Sequence, residues 1–96
     1  MTKAQIKDLI DVNCLKAISI CNREEVAEAR HADMVYTALD YLRDILVNEG
    51  VRQFKHVLND FNVVEFLKDK VIHPCTYYEE VRLQRCFNNF KTYVLK

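Results

Sequence analysis

The stretch MVYTALDYLRDILVNEGVRQF, residues 34–54, settles the fold class. Met34, Val35, Ala38, Leu39, Leu42, Ile45 and Leu46 fall on one stripe of a helix, while Asp40, Arg43 and Asp44 point away from it. The stripe stops at Gly50, the only glycine among 96 residues, and a second helical pattern resumes at once with Val51, Phe54, Val57, Leu58 and Phe61. Glycine reaches positive φ without a side-chain clash, so the pattern predicts a helix that ends in a Schellman cap at Gly50, with Val51 as its apolar contact. A corner made this way joins two helices in very little chain.

Toward the N-terminus, Asn22-Arg23-Glu24-Glu25 sets a glutamate three residues after an N-cap residue, a variant capping box whose acids also suit the positive end of a helix. It predicts a helix over 23–30, then a kink or short connection at His31-Ala32-Asp33, with Asp33 capping the next helix. Earlier still, Thr2 caps a pattern of Ile6, Leu9, Ile10, Cys14, Ala17, Ile18 and Cys21. That pattern is one long helix or two that part near Asp11-Val12-Asn13, where residues prone to bonding their own backbone cluster; the break is the preferred reading.

Toward the C-terminus, Asn62 predicts the cap of a helix over 63–71, with Val64, Leu67 and Val71 inward and Phe66 beside them. His73-Pro74 ends it, because proline restricts the residue before it and cannot extend the hydrogen-bond ladder. Thr76-Tyr77-Tyr78-Glu79 is a capping box that opens a last helix to about Val94. Tyr78, Val81, Phe87, Phe90 and Val94 mark its apolar side, widened by Leu83, Cys86 and Tyr93. One proline, one glycine and no Asn-Gly or Asp-Gly hairpin signal leave an all-α reading: a compact antiparallel bundle of six or seven helices in a single domain, residues 1–96.

Half of the residues are hydrophobic, enough for a core without disulfide staples. Cys14, Cys21, Cys75 and Cys86 are too few and too scattered for a disulfide scaffold, and no signal-peptide pattern or bilayer-length apolar run appears. The expectation is a cytoplasmic protein with reduced thiols, alternatively a nuclear one. Zero net charge argues against a general nucleic-acid binder. The charges are nevertheless segmented: residues 1–23 hold four bases against two acids, 24–49 two bases against seven acids, and 50–96 eight bases against five acids.

Complete catalytic or metal motifs are missing from this pattern. His31, His56 and His73 with the four cysteines lack the paired close spacing of a structural zinc site, and buried cysteine ordinarily packs as a small hydrophobe. A cysteine–histidine nucleophile pair lacks a visible orienting group or a glycine-rich loop for an oxyanion. No catalytic residue, cofactor or metal ligand is therefore assigned. Tyr77, Tyr78 and Tyr93 interleaved with Arg82, Arg85, Lys91 and Lys96 make the last helix the best nucleic-acid candidate, against the plainer reading of an amphipathic packing helix.

CNREEVAEA, then MVYTALDYLRDILVNEGVRQFKHVL, then VVEFLKDKV, over roughly residues 14–72, resembles the later part of a caspase recruitment domain of the death-fold superfamily. The nearest flavour is that of the tandem N-terminal domains of innate-immune RNA-sensing helicases. The matching positions are Glu24 to Ala29, Ala38 to Leu42, Gly50, Phe54 with Val57-Leu58, and Phe66-Leu67 with Val71. The first helix is shorter than the family's, and a further helix at 77–95 follows a death-fold-like core of about 2–72. The resemblance implies an adaptor in apoptosis or innate immunity that acts by protein–protein association with itself or another death-fold domain. By position, Glu24, Glu25, Glu28 and Asp33 would form the acidic face, and Lys3, Lys7, Lys16, Arg43, Arg52 and Lys55 the basic one. Asp40 and Asp44 sit uneasily in that basic face. ALDYLRDILV and FNNFKTYV are also similar to the integrase-binding and elongation-factor N-terminal bundles of transcription coactivators, which hold short disordered peptides. A small RNA- or DNA-binding helical protein is the further alternative.

Overall fold

The computed structural model describes residues 1–21, 26–70 and 75–95, and within the first two of these segments leaves the side chains of 18, 20, 21 and 26–28 undescribed. Five α-helices appear among the described residues: α1 Lys3–Cys21, α2 Val26–Glu49, α3 Val51–Asp60, α4 Val63–Leu67 and α5 Tyr77–Val94. The all-helical expectation holds, and the count is lower than six or seven because two expected breaks do not occur.

The first is at Asp11-Val12-Asn13, through which α1 runs unbroken. Asn13 Nδ2 donates to the Leu9 carbonyl at 2.8 Å, a backward bond that leaves the helical ladder in place. Asp11 turns to α2 instead of its own backbone, accepting from Arg43 Nε at 2.8 Å. The second is at His31-Ala32-Asp33, which lies inside α2. Asp33 caps nothing there; its carbonyl accepts from the Thr37 hydroxyl at 2.8 Å. Ala32 and Met34 are both buried, so a kink would have withdrawn them from the core.

Local signals elsewhere fold as written. Thr2 Oγ1 accepts from the Gln5 N–H at 3.2 Å while Gln5 Oε1 accepts from the Thr2 N–H at 2.8 Å, a reciprocal box that opens α1. Asn62 Oδ1 accepts from the N–H groups of Val64 and Glu65 at the start of α4. That helix is short, ending at Leu67 with Lys68 to Lys70 in a turn. Thr76 and Glu79 form the full capping box of α5. The Asn22 cap, Val71, His73 and Pro74 lie outside the described residues.

Gly50 has positive φ, as expected, but not the geometry of a Schellman cap. Its angles are φ 92° and ψ 175°, an extended region essentially reserved for glycine, whereas the left-handed helical cap needs ψ near about +47°. Its N–H donates to the Leu46 carbonyl at 3.1 Å and its own carbonyl accepts from Phe54 N–H at 3.0 Å. One residue thus closes α2 and opens α3.

α1 and α2 form an antiparallel pair, pinned where Lys3 Nζ donates to the Val47 carbonyl at 3.4 Å and where Arg43 meets Asp11. Ile6, Ile10 and Cys14 of α1 face Ala38, Leu42 and Leu46 of α2 in one core that also takes Phe54, Leu58 and Leu67. Leu83, Phe87 and Val94 of α5 belong to the same core. Each side chain of this size fully buried contributes about 1.5–3 kcal/mol of transfer free energy. Aromatic contacts tie the far side: Phe61 lies 5.4 Å from Phe66 and 5.7 Å from Phe87, and Tyr41 stands 4.7 Å from Phe66, between ring centroids. Lys91 Nζ donates to the Phe61 carbonyl, clamping α5 onto the α3–α4 junction.

Candidate interaction site

Two surfaces need weighing, one charged and one apolar. The antiparallel pairing brings the beginning of α1 against the end of α2, so Lys3, Lys7 and Arg43 line one seam. Lys7 and Arg43 share the Asp11 carboxylate, at 3.7 and 2.8 Å. Arg52 and Lys55 follow on α3, Arg52 exposed and Lys55 half-buried. The same half of the hairpin carries Asp8 and Asp11 on α1 and Asp40, Asp44 and Glu49 on α2. Those acids match the five bases in number, which makes the region a mixed surface of weak net potential. Lys16 stands apart from it, exposed on the later half of α1. Asp33 is exposed on α2; Glu24 and Glu25 lie outside the described residues, as does the Glu28 side chain.

The apolar surface is a groove of about 370 Å³ between α1, α2 and α5. Leu9 and Asn13 of α1, Val35 and Leu39 of α2, and Phe90 and Tyr93 of α5 form its walls, with Phe87 at the base and Cys86 and Asn89 at the edge. No charged side chain is among these. The helices build it by register: Leu9 and Val35 stand at the margins of otherwise buried stripes, so the three helices meet below them and leave their flanks open. Tyr93 on the α5 rim is 61% exposed, and Val12, one turn from Leu9 on α1, continues the apolar surface outward at 48%. On that same outer side of α1, Leu15 is 65% exposed.

The sequence pattern pointed to the groove only indirectly. Leu9, Val35 and Tyr93 read as core or as stripe-wideners, and the width of those stripes, greater than a small bundle needs, was the available signal. Two assignments on α5 are corrected. Tyr78, taken as an apolar mark, is largely exposed near the start of the helix, and Leu83, taken as peripheral, is fully buried. The thiols also differ from the expectation of uniformly buried cysteine: Cys14 is buried, Cys75 is half-buried with Sγ 3.7 Å from Met34 Sδ, and Cys86 is exposed; Cys21's side chain lies outside the described residues.

Burial raises the pKa of all three described thiols, which keeps them protonated near neutrality and makes them poor nucleophiles. For Cys86 the groove walls shield the sulfur although the residue as a whole is open, and the nearby Arg82 guanidinium only partly opposes the shift. Among the described residues no group of His, Cys, Asp and Glu is placed to hold a metal ion, and no helix is long and apolar enough to cross a membrane. Compared with protein families, curated proteins and solved structures, the chain matches none of them. Among the described residues the structure defines a helical bundle with an open apolar groove between α1, α2 and α5 and a mixed-charge seam.

Proposed function

We propose that this chain is a non-catalytic protein–protein interaction module that binds a helical domain or segment of another protein, as an adaptor in a signalling or small-RNA/innate-immune assembly. The observation that carries the reading is the groove between α1, α2 and α5, which leaves Leu9, Val35, Phe90 and Tyr93 partly uncovered around one concave centre. Uncovered aromatic and aliphatic side chains around a concave centre are the usual anchors of a protein interface. Capture of a partner segment in such a groove is the mode of the coactivator-type bundles that ALDYLRDILV and FNNFKTYV resemble.

A second mode, homotypic association of the death-fold kind, draws support from the gathering of Lys3, Lys7 and Arg43 on one seam. The five acids interleaved with the bases there weaken it. Light scattering of the purified protein over a concentration and salt series separates the two modes. Groove capture expects a monomer throughout. Reversible oligomers that dissolve with salt and vanish on Glu24→Lys with Glu28→Lys would overturn groove capture in favour of charge-driven self-association.

A further inference from the structure

We propose that Gly50 is the hinge of a domain-swapped dimer, in which α2 and α3 run on as one helix and the α3–α5 half of each copy covers the α1–α2 half of the other. Such a dimer goes beyond the interaction-module role and neither needs nor excludes it.

A single residue separates the two helices, and its backbone bonds are already those of a helix. The Gly50 N–H donates to the Leu46 carbonyl at 3.1 Å and the Phe54 N–H to the Gly50 carbonyl at 3.0 Å, each pair four residues apart as in an α-helix. Only the dihedral angles depart, at φ 92° and ψ 175°. Turning them to the α region would join Val26 to Asp60 in one helix. Glycine has no side chain to cap α3, so the N–H groups of Val51, Arg52 and Gln53 open that helix without side-chain acceptors from its cap. In the continuous helix they meet the carbonyls of Val47, Asn48 and Glu49, four residues back. Of these, the Val47 carbonyl now accepts from Lys3 Nζ at 3.4 Å.

That helix does not fit within one copy. At 1.5 Å per residue it is about 50 Å long, whereas the longest dimension of the molecule is 35 Å. Straightening therefore carries α3 off α2 and uncovers Phe54 and Leu58, both fully buried in the monomer. A second copy in the same state offers the matching site, its own α1–α2 half with the same bare core. Each half has ties of its own: Arg43 to Asp11 at 2.8 Å in the first, and in the second the Phe61 and Phe87 rings at 5.7 Å with Lys91 Nζ on the Phe61 carbonyl. The contacts between halves, among them Arg30 with Glu79 and Tyr41 with Phe66, re-form between copies. Exchange of identical halves across a very short connection is a low-cost route to a symmetric dimer. Because α2 ends and α3 begins within one residue, the two hinges lie side by side at the dyad. Val47, one turn before Gly50 and 45% exposed in the monomer, gains cover there. The α1–α2–α5 groove then occurs twice, each time with walls from both copies.

The test refolds the full chain from urea over a series of protein concentrations and separates the products by size-exclusion chromatography with light scattering. Refolding at high concentration should give a dimer that persists on dilution and in salt, while chain that has never been unfolded stays monomeric, because exchange requires the halves to part. Gly50→Ala favours the helix over the corner in both chains, so it should raise the association constant at least about tenfold. Three glycines inserted after Gly50 lengthen the corner and interrupt the joined helix. That variant should lose the dimer and keep a monomer of unchanged circular dichroism, since a Cβ built at Gly50 already meets no atom within 4 Å. Glu24→Lys with Glu28→Lys should leave the dimer in place, which separates it from charge-driven self-association. The swap is overturned by the absence of a dimer from both the parent and the Gly50→Ala chain, by a Gly50→Ala dimer no tighter than the parent's, or by a dimer that survives the glycine insertion.

Discussion

Replacing Gly50 tests the corner between α2 and α3 with little else disturbed. A Cβ built at this position meets no atom within 4 Å, so a substitution there is strained by its backbone angles and not by a clash. Holding an L-residue at φ 92°, ψ 175° costs about 1–3 kcal/mol. Gly50→Ala also restricts the unfolded chain, which returns about 0.4–1 kcal/mol. At the middle of these ranges the net loss is about 1.3 kcal/mol, or a fall in Tm of roughly 5–10 °C for a domain of this size. Gly50→Val should lose at least as much, because its branched Cβ narrows the backbone further. Gly50→Asn is the discriminating variant. Asparagine tolerates the left-handed helical region, and at a Schellman cap it would recover part of the loss; at ψ 175° it recovers none. Thermal and urea unfolding followed by far-ultraviolet circular dichroism would measure all three. An unchanged midpoint for Gly50→Ala, or an Asn variant clearly milder than Ala, would refute the reasoning.

Leu83→Ala removes a fully buried side chain of α5 and should cost about 2–5 kcal/mol in urea unfolding; a loss well under 1 kcal/mol would mean that α5 packs on the bundle without completing it. Glu79 gives a pH signature. Burial alone would raise its pKa, but the bond to the Thr76 N–H and the Arg30 guanidinium together hold it below the ordinary 4.5. A carboxylate depressed by folding stabilises the protein above its unfolded pKa and gives that up as pH falls through the folded value, so the urea midpoint should drop below about pH 4.5 and Glu79→Gln should flatten that drop. A Glu79→Gln profile parallel to that of the parent protein would contradict this.

The parts of the fold legible in the sequence were those set by neighbours in the chain. The stripe from Met34 to Leu46, the Asn62 cap, the Thr76–Glu79 box and the positive φ of Gly50 are all local, and each is found where its residues predict it. The misplaced breaks were cases where tertiary partners outbid local tendency. Asp11 looked free to bond its own backbone, and only the antiparallel pairing of α1 with α2 supplies Arg43 to occupy it. The groove was harder still, since nothing in the spacing of Leu9, Val35 or Phe90 says which flank of a stripe a third helix will leave uncovered. The charged faces named from the family resemblance were placed by position along the chain alone, which says nothing of what the fold sets beside them. Lys7 and Arg43 share Asp11 while Lys3 reaches the Val47 carbonyl, and the fold that lines up these bases also brings in the acids of the same half-hairpin.

The position of α5 in the core bears on how the chain emerges from the ribosome. Ile6, Leu42, Leu58 and Leu67 are all synthesised before Leu83, Phe87 and Val94, the residues that close the core over them. At about 5–20 residues per second, a nascent chain that has reached Lys70 waits roughly 1–5 s for Val94 to be added, and then for that helix to clear the exit tunnel. Until then the inner faces of the helices that have already emerged lack their α5 cover, and the same apolar stripes that later hold the bundle together are available to chaperones or to neighbouring nascent chains on the same message.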